Sequence, residues 1–151
     1  MDEIQILNNT KGTLIKPGYH RCIKVMTLNT RGIRKKWLAI DYIIDFDYRD
    51  IFVITETKLT EKARAFKGYE VFQSLEDKKG GVFRYANTEL KPRLLSIYAN
   101  QQVSIQISDD KYRYFIIGAY VHQNSDTTWQ SIKSEVNNLR KLYLNPKIII
   151  A

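Results

Sequence analysis

The sequence predicts an α+β fold, and three observations carry that expectation. An apolar, β-branched run at residues 23–29, a helical pattern and a second apolar run at residues 51–55 give strand, helix, strand. The middle of the chain, residues 69–120, is a series of short strand patterns broken by turn residues. A second helical pattern then leads through Pro146 into a last apolar run, Lys147-Ile148-Ile149-Ile150-Ala151.

Residues 1–22 show no sustained period. Asn8-Asn9-Thr10-Lys11-Gly12 and Pro17-Gly18 punctuate them as turns, so they read as an extension or loop. Residues 23–151 read as one incomplete domain. Its first strand, Ile23 to Asn29, has the composition of a strand buried on both faces. Trp37, Ile40 and Ile44, with Ile33 and Leu38 nearby, follow at helical spacing. Ile51-Phe52-Val53-Ile54-Thr55 is the second buried strand. Short strands are expected at Tyr69–Phe72, after the turn Lys79-Gly80-Gly81, and at Leu94–Ala99. Residues 102–108 alternate polar and apolar, which predicts a half-exposed strand, and Asp109-Asp110-Lys111 turns it back as a hairpin onto Tyr114–Tyr120. In the second helix Trp129, Ile132, Val136, Leu139 and Leu142 mark the apolar stripe, with Ser125 or Asp126 as its cap. A chain that stops inside an apolar β run is read here as truncated.

Composition narrows the function classes. The chain has 44% hydrophobic and 26% charged residues, an ordinary globular balance for one domain of 151 residues. No apolar stretch approaches a membrane span, and Met1-Asp2-Glu3 is not the basic start of a secretory signal. The single cysteine, Cys22, has no internal disulfide partner, which points to an intracellular, cytoplasmic or nuclear setting. One Cys and two His also argue against a zinc site. A net charge of +8 favours a polyanionic partner, although a solvated basic surface gives the same number.

Two polar residues stand at the C-terminal ends of the leading strands: Asn29 and Glu56. Ligands collect at such strand ends, and an amide beside a carboxylate suits a hard cation such as Mg²⁺. Taken alone, the pair also fits a turn cap and a solvated carboxylate, and both readings stand. Arg31, Arg34, Lys35 and Lys36 follow the first strand. They suit DNA phosphates, and equally suit an exposed helix start with no partner.

Leu28-Asn29-Thr30-Arg31-Gly32 resembles the opening motif of the endonuclease/exonuclease/phosphatase family, in particular the apurinic-type endonuclease domains of non-LTR retrotransposons. Asp50 to Leu59, with Glu56 at the metal-binding position, resembles the second motif. Gly68-Tyr69, Gly80-Gly81-Val82 and Gly118-Ala119-Tyr120-Val121-His122 follow in the family's order, the last carrying its active-site tyrosine. Pro146 to Ala151 is similar to the strand leading into a Gly-Asp-Phe-Asn motif. The resemblance spans about residues 23–151. It implies a partial four-layer α/β/β/α sandwich, two mixed β-sheets with outer helices, truncated before its C-terminal half.

It also implies hydrolysis of a phosphodiester by water with Mg²⁺ or Mn²⁺ at Glu56 and Asn29. Tyr120 would hydrogen-bond a phosphate oxygen, and DNA would be the partner. His122 stands where the family has proline and takes no role. Gly-Asp-Phe-Asn and Ser-Asp-His are absent, so the 151 residues are expected to be inactive alone. Three alternatives stay open. One is a non-catalytic basic nucleic-acid-binding remnant, one a phosphatase of the same fold family, and one a decayed fragment that does not fold stably.

Overall fold

A computed structural model describes residues 22–46, 49–74, 81–98, 101–109, 112–121 and 126–151. Residues 1–21 lie outside the described residues. So do Lys79 and Gly80 of one expected turn, Asp110 and Lys111 of another, His122, and the candidate cap Ser125.

Eight strands form two four-stranded sheets. The first, in the order β1-β2-β4-β3, comprises β1 (Val25–Asn29), β2 (Ile51–Thr55), β3 (Tyr69–Gln73) and β4 (Val82–Asn87). The second, in the order β5-β6-β7-β8, comprises β5 (Arg93–Tyr98), β6 (Gln102–Ser108), β7 (Arg113–Ala119) and β8 (Lys147–Ile150). Each sheet is mixed and carries one β-α-β crossover. Helix α1 (Trp37–Phe46) joins the parallel pair β1 and β2, and α2 (Asp126–Leu142) joins the parallel pair β7 and β8. The other pairings are antiparallel, the expected β6–β7 hairpin among them, with Gln102 opposite Ala119.

Strand alternation builds three apolar layers. Ile51 and Val53 of β2, with Val82 and Ala86 of β4, meet Val103, Ile105, Ile107 and Ile116 of the other sheet. The alternate residues Phe52, Ile54, Phe83 and Tyr85 face outward onto Ile33, Ile40 and Ile44, and Trp37 stacks on Phe83 with ring centroids 6.0 Å apart. Phe115 and Ile117 of β7 receive Ile132 and Leu139 of α2. Helix, sheet, sheet and helix therefore stack as four layers, the α+β sandwich the sequence implied. Among the described residues no helix is long and apolar enough to cross a membrane.

Several expectations need correction. β1 is an edge strand with Thr27 and Asn29 exposed, not buried on both faces, because only β2 pairs with it. β8 is likewise an edge strand, and Ile150 is exposed. β6, expected half-exposed, is nearly all buried because its polar face, Gln102 and Ser104, lies within the molecule rather than against solvent. Leu38, Trp129 and Leu142 are exposed. Ile132, Val136 and Leu139 of the expected α2 stripe do face the sheet, but Thr128 and, just past the helix, Tyr143 take the places of Trp129 and Leu142, a choice that helical spacing alone leaves ambiguous by one residue.

Candidate functional site

The site begins where the parallel ladder of β1 and β2 runs out. Asn29 pairs with Thr55 in register, and the chains stay bonded beyond the strands. Thr30 donates its N–H to the Thr55 carbonyl at 3.0 Å, Gly32 to Glu56 at 2.7 Å, and Ile33 to Thr57 at 3.1 Å. The buried Thr30 hydroxyl adds bonds to the carbonyl oxygens of Thr55 and Glu56, at 3.1 and 3.3 Å. Asn29 Oδ1 accepts the Arg31 N–H at 3.2 Å, an Asx turn that folds the basic loop back beside the strand end.

This lacing supports an uncommon backbone. Arg31, Glu56 and Lys58 are all left-handed, with φ of 48°, 51° and 53°. A non-glycine residue there costs of order 1 kcal/mol or more, and it persists where its surroundings over-determine it. Gly81 completes the support: its φ is 102°, its carbonyl accepts the Thr57 N–H at 3.3 Å, and a side chain on it would overlap the Thr57 hydroxyl.

Glu56 is thereby presented, partly exposed, just past the C-terminal end of β2. Tyr120, immediately after β7, reaches it from the second sheet. The Tyr120 hydroxyl donates to the Glu56 carboxylate and holds it below the usual carboxylate range; the Asn29 amide donates as well, and the charges of Lys58 and Arg31 act in the same direction. The same bond raises the Tyr120 phenol above its ordinary value, because ionising it would forfeit the donor. Asn29, Glu56 and Tyr120, distant in sequence, thus meet.

The basic residues divide. Arg34 is held by Glu61 at 2.9 Å and by the Thr60 hydroxyl at 3.1 Å, and Lys36 donates to the Thr30 carbonyl. Arg31 and Lys35 are exposed, Arg31 close enough to act on Glu56. Thr30, Lys58 and Gly81 entered the sequence analysis only as members of motifs, with no role of their own. Lys58 could have been found from its place two residues after Glu56, but Thr30 and Gly81 act through backbone geometry that no side-chain pattern displays.

Among the described residues no three His, Cys, Asp or Glu come together. A metal here would have one carboxylate and an amide oxygen already shared with the Arg31 N–H. That set fits Mg²⁺, which keeps most of its waters and often takes one or two carboxylates, and it does not fit zinc. A separate cleft of about 480 Å³ lies between α2 and the β5–β6 side of the second sheet, lined by Ser96, Gln102, Ser131 and Glu135, with Glu135 bonded to the Ser96 hydroxyl at 3.1 Å.

Comparison of the sequence with protein-family models and with curated proteins gives no match. Solved structures do match. The 3'-5' exonuclease NExo of Neisseria meningitidis superposes with a TM-score of 0.64 at 14% identity, over 84% of this chain and 56% of that one. The endonuclease domain of TRAS1, a telomere-specific non-LTR retrotransposon, gives 0.60 at 12%, over 84% and 58%. An endonuclease/exonuclease/phosphatase family protein of Bacteroides thetaiotaomicron gives 0.61 at 11%, over 85% and 62%. The chain spans about half the length of the solved structures it matches. Two mixed sheets packed face to face between α1 and α2, superposing on nucleases and on a named family member alike, give this chain the endonuclease/exonuclease/phosphatase fold.

Proposed function

We propose that the chain carries the metal- and phosphate-binding side of a Mg²⁺-dependent phosphodiester hydrolase, endonuclease-like, acting on DNA and derived from a retroelement. The observation that carries this reading is the meeting of Asn29, Glu56 and Tyr120 past the ends of the paired strands, with Arg31 and Lys58 beside them. The neighbours include a DNA-hairpin-bound 3' phosphatase and a retrotransposon endonuclease domain, which supports a nucleic-acid substrate.

In this reading Glu56 holds the cation and Asn29 orients Glu56 through its amide. Tyr120 exchanges its bond to Glu56 for one to a phosphate oxygen, and Arg31, Lys35 and Lys58 receive neighbouring phosphates. A bound Mg²⁺ or Mn²⁺ supplies charge stabilisation to the phosphate and the leaving oxygen. Gly-Asp-Phe-Asn and Ser-Asp-His, the motifs to which the resemblance assigns activation of the water, do not occur in the 151 residues. General acid–base help is worth roughly 10²- to 10⁴-fold, so these residues alone are expected to nick supercoiled plasmid at most feebly.

The test is calorimetric titration with Mn²⁺. The chain binds, and Glu56→Gln weakens binding at least about tenfold, as removal of the one ionised ligand requires. Equal binding by both proteins sinks the metal assignment. A second reading is favoured by the exposed cations around a lone carboxylate: nucleic-acid binding without catalysis. Salt-sensitive DNA binding that ignores both Mg²⁺ and Glu56→Gln would select it.

A further inference from the structure

Arg84 is fully buried on β4. Its neighbours alternate: Val82 and Ala86 face the other sheet, Phe83 and Tyr85 face α1, so Arg84 points between the sheets. There its Nη1 donates to the Ile116 carbonyl of β7, while Nε and Nη2 have no hydrogen-bond partner among the described residues. Burial pushes the guanidinium down to about 9, which still leaves it a cation at neutral pH. The facing residue on β7 is Gly118, whose Cβ would overlap Nη2, Nε and Cζ of Arg84. Gly118 does not adopt a left-handed φ, so glycine is required here for space rather than for backbone conformation.

A buried cation with two idle donors is a poor source of stability, since a well-packed apolar side chain of similar volume is often neutral or better. Its directionality is what the surrounding core lacks: Ile51, Val53, Val82, Val103, Ile105 and Ile116 are aliphatic, and such contacts tolerate sliding of one sheet over the other. The site does not tolerate it, because Glu56 belongs to the first sheet and Tyr120 to the second. Ile116, Gly118 and Tyr120 share one face of the chain, so whatever fixes Gly118 against β4 also fixes Tyr120.

We infer that Arg84 is a positioning residue that, keyed into the gap at Gly118 and bonded to Ile116, sets the register of the two sheets and thereby holds Tyr120 on Glu56. This rests on the Glu56–Tyr120 contact and not on what that site catalyses, so the test needs neither metal nor substrate. The full 151-residue chain is labelled with ¹³C at tyrosine Cζ and observed at neutral pH, with Tyr120→Phe assigning the resonance and Glu56→Gln giving its position without the charged acceptor. Arg84→Met is expected to fold, with Tm at or above that of the parent, and to move the Tyr120 resonance to the Glu56→Gln position. Arg84→Lys, which keeps charge and reach, returns it at least part of the way. An unmoved Tyr120 resonance in folded Arg84→Met overturns the inference. Should Arg84→Met not fold, Gly118→Ala displaces the guanidinium instead: a moved resonance supports the inference and an unmoved one overturns it. Loss of folding in both also overturns it, because the pair would then serve the fold itself.

Discussion

Glu56 and Glu61 lie on the same loop after β2, and both carboxyls sit below the usual carboxylate range. Their causes differ. Glu61 is held first by Arg34, then by its neighbour Thr60, in an exposed ion pair whose partners come from adjoining loops. Glu56 is held first by Tyr120, a residue of the opposite sheet, and then by Asn29 from the neighbouring strand. The sign of the shift is therefore the same for a surface pair and for a candidate site. What separates them is how much of the fold must be correct for the shift to exist.

The strongest way to break the contrast is to disturb the backbone that presents Glu56 while leaving Glu61 untouched. Gly81→Ala forces a side chain onto a φ of 102° and into the Thr57 hydroxyl, next to Glu56. The expected loss is about 2 kcal/mol or more, read as a lowered urea midpoint, because strain and overlap add. Cation binding should weaken with it. A variant as stable as the parent would show that the loop around Glu56 yields freely and that its left-handed backbone is not over-determined.

Much of this arrangement was legible in the sequence because its determinants are local or periodic. Asn29 and Glu56 end two consecutive buried-type runs joined by a helix, and a parallel pairing of such runs brings their ends together. Tyr120 entered through the resemblance, since only packing of one sheet on the other brings it to Glu56. The misplaced faces have one cause. Burial of β1, β6 and α2 depends on which neighbour covers them, and Gln102 and Ser104 look solvent-facing until the molecule closes over them. Arg84 was invisible for a related reason: an arginine between Phe83 and Tyr85 carries no mark that its opposite number is Gly118. Arg34 and Lys36 bond to Glu61 and the Thr30 carbonyl, partners that their places in the sequence do not reveal.

Tyr120→Phe sharpens the comparison at a smaller scale. A folded-state carboxyl held below its unfolded value contributes stability that is present above the unfolded value and lost as pH falls through the folded one. Without the Tyr120 hydroxyl, the fall in stability attributable to Glu56 should still begin near the ordinary 4.5 but be smaller and end at a higher pH. Because the carboxylate is partly exposed, the difference should stay below about 1 kcal/mol. Parent and variant Tm are compared from neutral pH down to the acid limb. Superposable curves would mean that the bond from the other sheet does nothing in solution.

Glu61→Gln should do least. It removes the ionic partner of Arg34, yet both side chains are more than half exposed, at 53% and 63%, and water replaces the lost contact. No measurable change in Tm is expected at moderate salt, and none in Mn²⁺ binding, since the released Arg34 has solvent to turn to. The useful feature of this variant is that it can fail informatively. If it weakens cation binding as Glu56→Gln does, the loop as a whole is electrostatically coupled, and depth of tertiary support no longer distinguishes one carboxylate from the other. If DNA binding instead strengthens, the freed Arg34 has joined Arg31 and Lys35 on the phosphate-facing side. The ion pair with Glu61 would then be what keeps the fourth cation of that loop out of use.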